Sequence, residues 1–161
     1  MLETQLVSNA MLMGYAEMLL QDIEDADFAV QPAPGINHPA WILGHLAYAA
    51  DGAVGLLGGE KLTDRDWSVK FGRDSKITGE RSDYPSRDEM LKMFRETHAR
   101  ARELAAKADP EHLAKTNPNE RLRENLPTIG DMCSFLLTGH LGVHLGQLSA
   151  WRRMRGQPAM F

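Results

Sequence analysis

The 161-residue sequence has little of what defines several special classes of protein. Its single cysteine, Cys133, excludes an internal disulfide framework. No run of about 18 apolar residues is present, which argues against a membrane-spanning helix. Positive charge is scarce as well, because 18 Lys and Arg stand against 22 Asp and Glu, for a formal net charge of -4. A general binder of the nucleic-acid phosphate backbone is therefore not expected.

What the sequence does contain is typical of one globular domain spanning residues 1–161. With 43% apolar residues, a chain of this length can bury a core without a structural metal. Any metal site is therefore expected to be functional. The segment Met1-Leu2-Glu3-Thr4 lacks the basic region of a signal peptide, so we expect a cytoplasmic protein.

Four stretches have helical periodicity, and segments rich in Gly, Pro, Asp and Asn separate them. Asn37 is the expected N-cap of the second helix, and Ser86 opens a capping box before the third. The helices are predicted at about residues 2–25, 37–57, 86–108 and 128–156. Strand signals are weak, so we predict an all-α fold built as a four-helix bundle. The long connection 58–85 is either a lid, with Trp67 or Phe71 closing a pocket, or a solvated crossover.

The last predicted helix carries two histidines four residues apart, His140 and His144. This spacing gives about 6 Å of rise and about 40° of rotation, so both imidazoles can reach one point beside the helix. About 0.2 such pairs are expected by chance, so the spacing alone is weak evidence. Both residues share an apolar face with Leu137 and Trp151, where an unpaired polar group costs about 1–3 kcal/mol. A shared cation would satisfy both rings, and so would hydrogen bonds to the backbone or between the rings.

A third ligand must come from another helix, and His45 is the best candidate because it shares a face with Trp41 and Tyr48. Three imidazoles without a thiolate form an open site that leaves a position for water or substrate. Cys133 lies about 10.5 Å along the helix from His140 and is expected to be a small buried residue. The remaining histidines are expected to be solvated: His38, His98 and His112.

These segments resemble the DinB/YfiT-like family of metal-binding four-helix bundles. The resemblance rests on residues 140–147 (HLGVHLGQ) and 41–47 (WILGHLA), and with the helix count and the long middle segment it covers nearly the whole chain. It implies an up-down-down-up topology with a long crossover between helices two and three. It also implies that His45, His140 and His144 bind a divalent metal ion such as Zn or Ni.

Characterised members of this family include metal-dependent transferases that activate a low-molecular-weight thiol. Our leading hypothesis is therefore a metal-dependent thiol S-transferase, because coordination to a metal ion deprotonates a thiol. Gln147, Tyr48 and Trp41 are the residues expected to contact a ligand ring, the cofactor or the substrate, with core packing as the alternative for the two aromatic residues. A hydrolase using the same triad is one alternative, although no carboxylate adjoins either histidine motif. A non-catalytic binding or interaction bundle is another.

The expected partner is a small-molecule substrate, with a low-molecular-weight thiol as the leading candidate. A homodimer is a candidate assembly. Nucleic acid is not expected as a partner, because the basic cluster near residue 153 is short and lies where cations complement a helix dipole. That cluster consists of Arg152, Arg153 and Arg155. A membrane is not expected either, because the sequence has no long apolar run.

Overall fold

The computed structural model describes residues 2–160, and within them the regular elements are helices, with no strand beyond an isolated bridge between Thr116 and Thr128. The all-α prediction is confirmed. The α-helices are α1 (Glu3–Leu20), α2 (Pro39–Leu56), α3 (Arg65–Phe71), α4 (Arg87–Ala106), α5 (Pro110–Leu113), α6 (Ile129–Phe135) and α7 (Leu141–Met154). In this part of the chain, no helix combines the length and the apolar character needed to cross a bilayer.

The helix ends follow local capping chemistry, but two of the predicted boundaries differ from the observed ones. The N-cap of α2 is His38 and not Asn37, because the His38 backbone is extended and its Nδ1 accepts a hydrogen bond from the Trp41 amide at 3.2 Å. The capping box at Ser86 is confirmed, and Thr128 caps α6 in the same way. Helix α1 ends at Leu20, several residues before the predicted boundary.

The last predicted helix is interrupted by a π-helical turn. Helices α6 and α7 are joined by Leu136–His140, where the hydrogen-bonding pattern widens by one residue. The buried Asn9 of α1 donates a hydrogen bond from Nδ2 to the Leu137 carbonyl at 2.8 Å, which ties α1 to this turn. Because His140 is the last residue of the turn, the π turn sets where its ring lies relative to α7.

Helix α2 lies at the centre of the molecule, packed against α3, α4, α6 and α7. Its sequence is apolar on nearly every side, as expected for a helix without a solvent face. Ile42, Leu43, Leu46 and Val54 are all at most 1% exposed. The central position of α2 carries His45 to the region that the π turn and α7 approach from the other side.

Much of the connection 58–85 is exposed, but its middle part folds back onto α2 through α3. The Phe71 side chain is fully buried, and Trp67 donates a hydrogen bond from Nε1 to the Gly44 carbonyl at 3.0 Å. A Cβ atom at position 44 would lie 2.2 Å from the Phe71 ring, so the close approach of α3 requires glycine there. The α3 part of the segment therefore packs beside His45.

The basic cluster at the end of α7 is held by specific partners as well as by the helix dipole. The Arg152 side chain is 1% exposed and donates to the Leu19 carbonyl at 2.8 Å and to the Asp22 carboxylate. Arg155 pairs with Asp27 at 2.7 Å. Two of the three arginines thus fasten the C-terminal end of α7 to the chain that follows α1.

Candidate metal centre

Three histidines from three helical elements meet between α2, the π turn and α7. His45, His140 and His144 each offer a ligand nitrogen, and these atoms lie within 4.8 Å of one another. The ring centroids of His45 and His140 are each within 4.7 Å of the centroid of His144. The fold therefore brings together the histidine pair and the third residue that the sequence selected.

Hydrogen bonds on the outer side of two rings fix their orientation. His45 Nδ1 lies 2.7 Å from the Phe71 carbonyl oxygen, which can only accept, so this nitrogen carries the proton. His144 Nδ1 lies 3.1 Å from Oε1 of Gln147, and the same oxygen accepts from Nδ2 of Asn37 at 3.0 Å. In both rings Nε2 is left with its lone pair available. This is the outer hydrogen bonding that commonly orients histidine ligands to a metal.

The three rings are neutral at pH 7 because burial penalises their charged forms. Burial lowers the pKa of His45, and the Phe71 carbonyl opposes this shift only in part. Burial, reinforced by His144 and His45, lowers the pKa of His140 to about 3. The pKa of His144 is lowered to about 4, again mainly by burial. The cluster thus offers metal-ligating nitrogens that protons do not occupy.

His140 shows why a cation fits this cluster. Its Nδ1 is buried and has no hydrogen-bond partner among residues 2–160, and its Nε2 lies 3.2 Å from Nε2 of His45. If the His140 proton is on Nε2, the lone pair of Nδ1 has no hydrogen-bond donor. If the proton is on Nδ1, the Nε2 lone pairs of His45 and His140 face each other. Each arrangement leaves buried nitrogen unsatisfied, at a cost of about 1–3 kcal/mol. A cation would accept the facing lone pairs, and an all-imidazole donor set suits a divalent transition metal or zinc.

The other three residues predicted to contact a ligand occupy different places around the cluster. Trp41 is buried and stacks on the His45 ring, with centroids 4.6 Å apart and planes 9° from parallel. Gln147 holds the His144 ring, as described above. Tyr48 is half-buried and borders a cavity next to His45. The two aromatic residues therefore differ, because Tyr48 borders this cavity and Trp41 does not.

That cavity has a volume of about 350 Å³ and opens beside the cluster. His45 and His140 form part of its wall, whereas His144 does not border it. A groove of about 480 Å³ between the end of α1 and the start of α4 is larger, but none of the three histidines borders it. A ligand in the smaller cavity would therefore meet two of the three clustered histidines.

The prediction that the remaining histidines are solvated is wrong for His38 and His98. His38 is fully buried, where Nδ1 caps α2 and Nε2 donates to the Thr78 carbonyl at 2.9 Å. His98 is 1% exposed and donates from Nδ1 to the Phe94 carbonyl at 2.8 Å. Both rings satisfy backbone groups outside the cluster. The extended residue before Pro39 was the available signal for the cap at His38.

Cys133 is fully buried in the core, as expected, and is not among the residues of the histidine cluster. Burial raises the pKa of its thiol to about 12, so the thiol stays protonated at pH 7.

Comparison with known proteins identifies a family. A family model described as the DinB superfamily matches residues 14–148, which include all three clustered histidines. Neither a comparison with curated proteins nor one with solved structures gives a significant match.

Proposed function

The chain belongs to the DinB superfamily, and on this basis we propose that it is a metal-dependent thiol S-transferase whose divalent ion, Zn or Ni, is bound by His45, His140 and His144. The observation that carries the proposal is a cluster of neutral imidazoles beside an open cavity. The proposal includes the up-down-down-up order of the four long helical segments that the family resemblance implies.

The residues around the cluster have distinct roles in this proposal. When bound, a divalent ion supplies the Lewis acidity that favours loss of the proton from a thiol reaching it. The Phe71 carbonyl and Gln147 keep Nε2 of His45 and of His144 facing inward. Trp41 covers one face of the His45 ring and limits access of water from that side. The sulfur of the thiol would then bond to an electrophilic carbon of a second substrate within the cavity, while the leaving group on that carbon, such as the halide of an aryl halide, departs with the electron pair of the broken bond and the thiol proton passes to solvent.

The cavity wall favours the transferase over the hydrolase alternative. Hydrolysis of esters or amides usually needs a general base to take a proton from water. No carboxylate among the described residues lines the cavity. A thiol has a much lower pKa than water and needs no such base once it reaches a divalent ion.

Metal binding is the first test of this proposal. Protein prepared without a histidine tag and stripped of metal should bind one Zn²⁺ or Ni²⁺ per chain in a calorimetric titration. The double variant His140→Ala, His144→Ala should lose this binding. The matched control, His112→Gln, alters a half-buried histidine outside the cluster and should bind as the parent does. A parent protein that takes up no ion would refute the metal site.

Turnover is the second test. The metal-loaded protein should accelerate the reaction of low-molecular-weight thiols with an electrophilic aryl halide, and metal removal should abolish this acceleration. Acceleration that survives in the double variant would contradict the role of the metal. Metal binding without any turnover across a panel of thiols would contradict the transferase and support the non-catalytic bundle.

A further inference from the structure

Three cationic side chains from separate parts of the chain surround the cavity beside the histidine cluster. Lys61 follows α2, Arg73 follows α3, and Arg121 lies in the linker between α5 and α6. We call these three residues the cationic rim. None of them forms an ion pair or a side-chain hydrogen bond within residues 2–160, and no acidic residue there lines the cavity. In a chain with a net charge of -4, this local excess of positive charge is notable.

The rest of the cavity wall is mainly apolar. Apart from the two histidines and the cationic rim, it consists largely of aliphatic and aromatic side chains, including Tyr48, Leu122, Met132, Phe135 and Leu136. A volume of about 350 Å³ lies at the small end of ligand pockets, which have apolar walls and a few polar groups that fix orientation. The wall therefore suits a small molecule with an apolar body and one charged end.

The loop that carries Lys61 is anchored by a buried carboxylate. Asp51 of α2 is fully buried and accepts hydrogen bonds from the amides of Leu62 at 2.9 Å and Thr63 at 3.1 Å. The side chain of Lys61 crosses Gly55, where an added Cβ would lie 2.7 Å from Lys61 Cε. The Lys61 side chain therefore lies close against α2.

A buried amide anchors the linker that carries Arg121. Asn117 is fully buried and donates from Nδ2 to the Leu126 carbonyl at 2.8 Å, while its backbone amide donates to the Pro127 carbonyl at 2.9 Å. Its Oδ1 accepts from the Asn119 amide at 3.0 Å. Two cations of the rim are therefore carried on loops that buried polar groups hold in place, which lowers the entropy cost of binding a ligand.

We propose that this cavity binds a small molecule with an anionic group, a carboxylate or a phosphate-type group, and an apolar body. The cationic rim contacts the anionic group, and the apolar wall contacts the body. Binding of such a molecule follows from the cavity itself. Its assignment as the substrate that approaches His45 and His140 rests on the proposed function.

The test uses metal-free protein, exchanged into chelator-free buffer because common chelators are themselves anions. Three probes with a phenyl body are compared by calorimetric titration: 3-phenylpropionate, phenylphosphonate and the neutral 3-phenylpropionamide. At least one anion should bind about tenfold more tightly than the amide, and its affinity should fall with added salt. The preferred anion identifies the head group as carboxylate or phosphate-type.

Variants assign the binding to the cationic rim. The triple variant Lys61→Gln, Arg73→Gln, Arg121→Gln should lose about tenfold or more in affinity for the preferred anion. The control Arg153→Gln removes an exposed cation of α7 that does not line the cavity, and it should bind as the parent does. Circular dichroism of each variant checks that it is folded.

Equal affinity for the amide and the anions would overturn the inference, and so would unchanged anion affinity in the triple variant. A third contrary result would be no binding of either anion at about 10 mM, a concentration well above the dissociation constants of ordinary ligands. A Zn²⁺ titration of the same samples separates this inference from the proposed function. Loss of anion binding with metal binding intact would refute the anion cavity alone. Anion binding without metal binding would refute the metal centre alone.

Discussion

The close packing of Phe71 against Gly44 links the stability of the fold to the orientation of a candidate metal ligand. In Gly44→Ala, the new methyl carbon would lie 2.2 Å from Cδ1 and Cε1 of Phe71. Carbon atoms normally rest about 3.5–4.0 Å apart, so the ring would have to retreat by more than about 1 Å. Phe71 is fully buried, with Trp67 at 4.8 Å and Tyr84 at 6.0 Å between ring centroids, so it has little room to do so.

The expected energy is the balance of two opposing effects. Overpacking of this kind costs about 1–3 kcal/mol. Alanine in a helix interior is favoured over glycine by about 1 kcal/mol. Gly14→Ala isolates this second effect, because Gly14 lies within α1 and nothing approaches its Cβ position within 4 Å. Gly44→Ala should therefore be about 1–3 kcal/mol less stable than Gly14→Ala.

The same displacement should weaken metal binding. The Phe71 carbonyl accepts the His45 Nδ1 proton at 2.7 Å, and loss of such an outer hydrogen bond typically costs about 10–100-fold in metal affinity. We expect about a tenfold loss of Zn²⁺ affinity in Gly44→Ala and none in Gly14→Ala.

Urea unfolding of the metal-free variants, followed by far-UV circular dichroism, measures the stability difference. Competition with a chromophoric chelator measures the Zn²⁺ affinities. If both alanine variants gain the same stability and keep the parent affinity, the reasoning is refuted. A stability loss with unchanged Zn²⁺ affinity would refute only the link from Phe71 to His45.

Two further predictions concern buried polar side chains. Burial lowers the pKa of His98 to about 4, so the unfolded chain takes up a proton below about pH 6.5 that the folded chain does not, and stability falls as the pH drops through this window. At pH 5 this amounts to about 2 kcal/mol, so unfolding of the metal-free protein should depend less on pH in His98→Gln; an unchanged dependence between pH 7 and 5 would contradict the assignment. Arg152→Met removes the buried donor to the Leu19 carbonyl and should lower the unfolding free energy by about 2 kcal/mol, whereas Arg153→Met at an exposed position should stay within about 0.5 kcal/mol. Equal urea midpoints for the two arginine variants would show that the contact contributes nothing.

Features that depend on neighbours along the chain could be predicted from the sequence. The capping box at Ser86 is a local hydrogen-bonding pattern and appears where the sequence placed it, and the predicted start of the last helix near residue 128 agrees with the observed cap at Thr128. The spacing of His140 and His144 predicts a shared face because helix geometry is local, and the apolar face of α2 pointed to His45. The three clustered histidines were therefore accessible before the fold was known.

Predictions from the sequence were wrong where the burial of a side chain depends on residues far away in the chain. His38 and His98 look like surface residues by type, but each is buried where its ring bonds to a backbone carbonyl. The π turn that ends at His140 was also missed, because its tie to Asn9 joins residues 128 positions apart. Such contacts leave no periodic signal in the sequence.

By itself, then, the sequence determined the approximate positions of the long helical stretches, the capping box at Ser86 and the residues of the candidate metal centre, since each follows from contacts within a few residues. The tertiary structure decided what surrounds that centre. Only the packing of α3 on α2 brings the Phe71 carbonyl to His45. Only the fold brings the cationic rim, from three separate segments, to a single cavity, because long-range packing sets the distances between those segments.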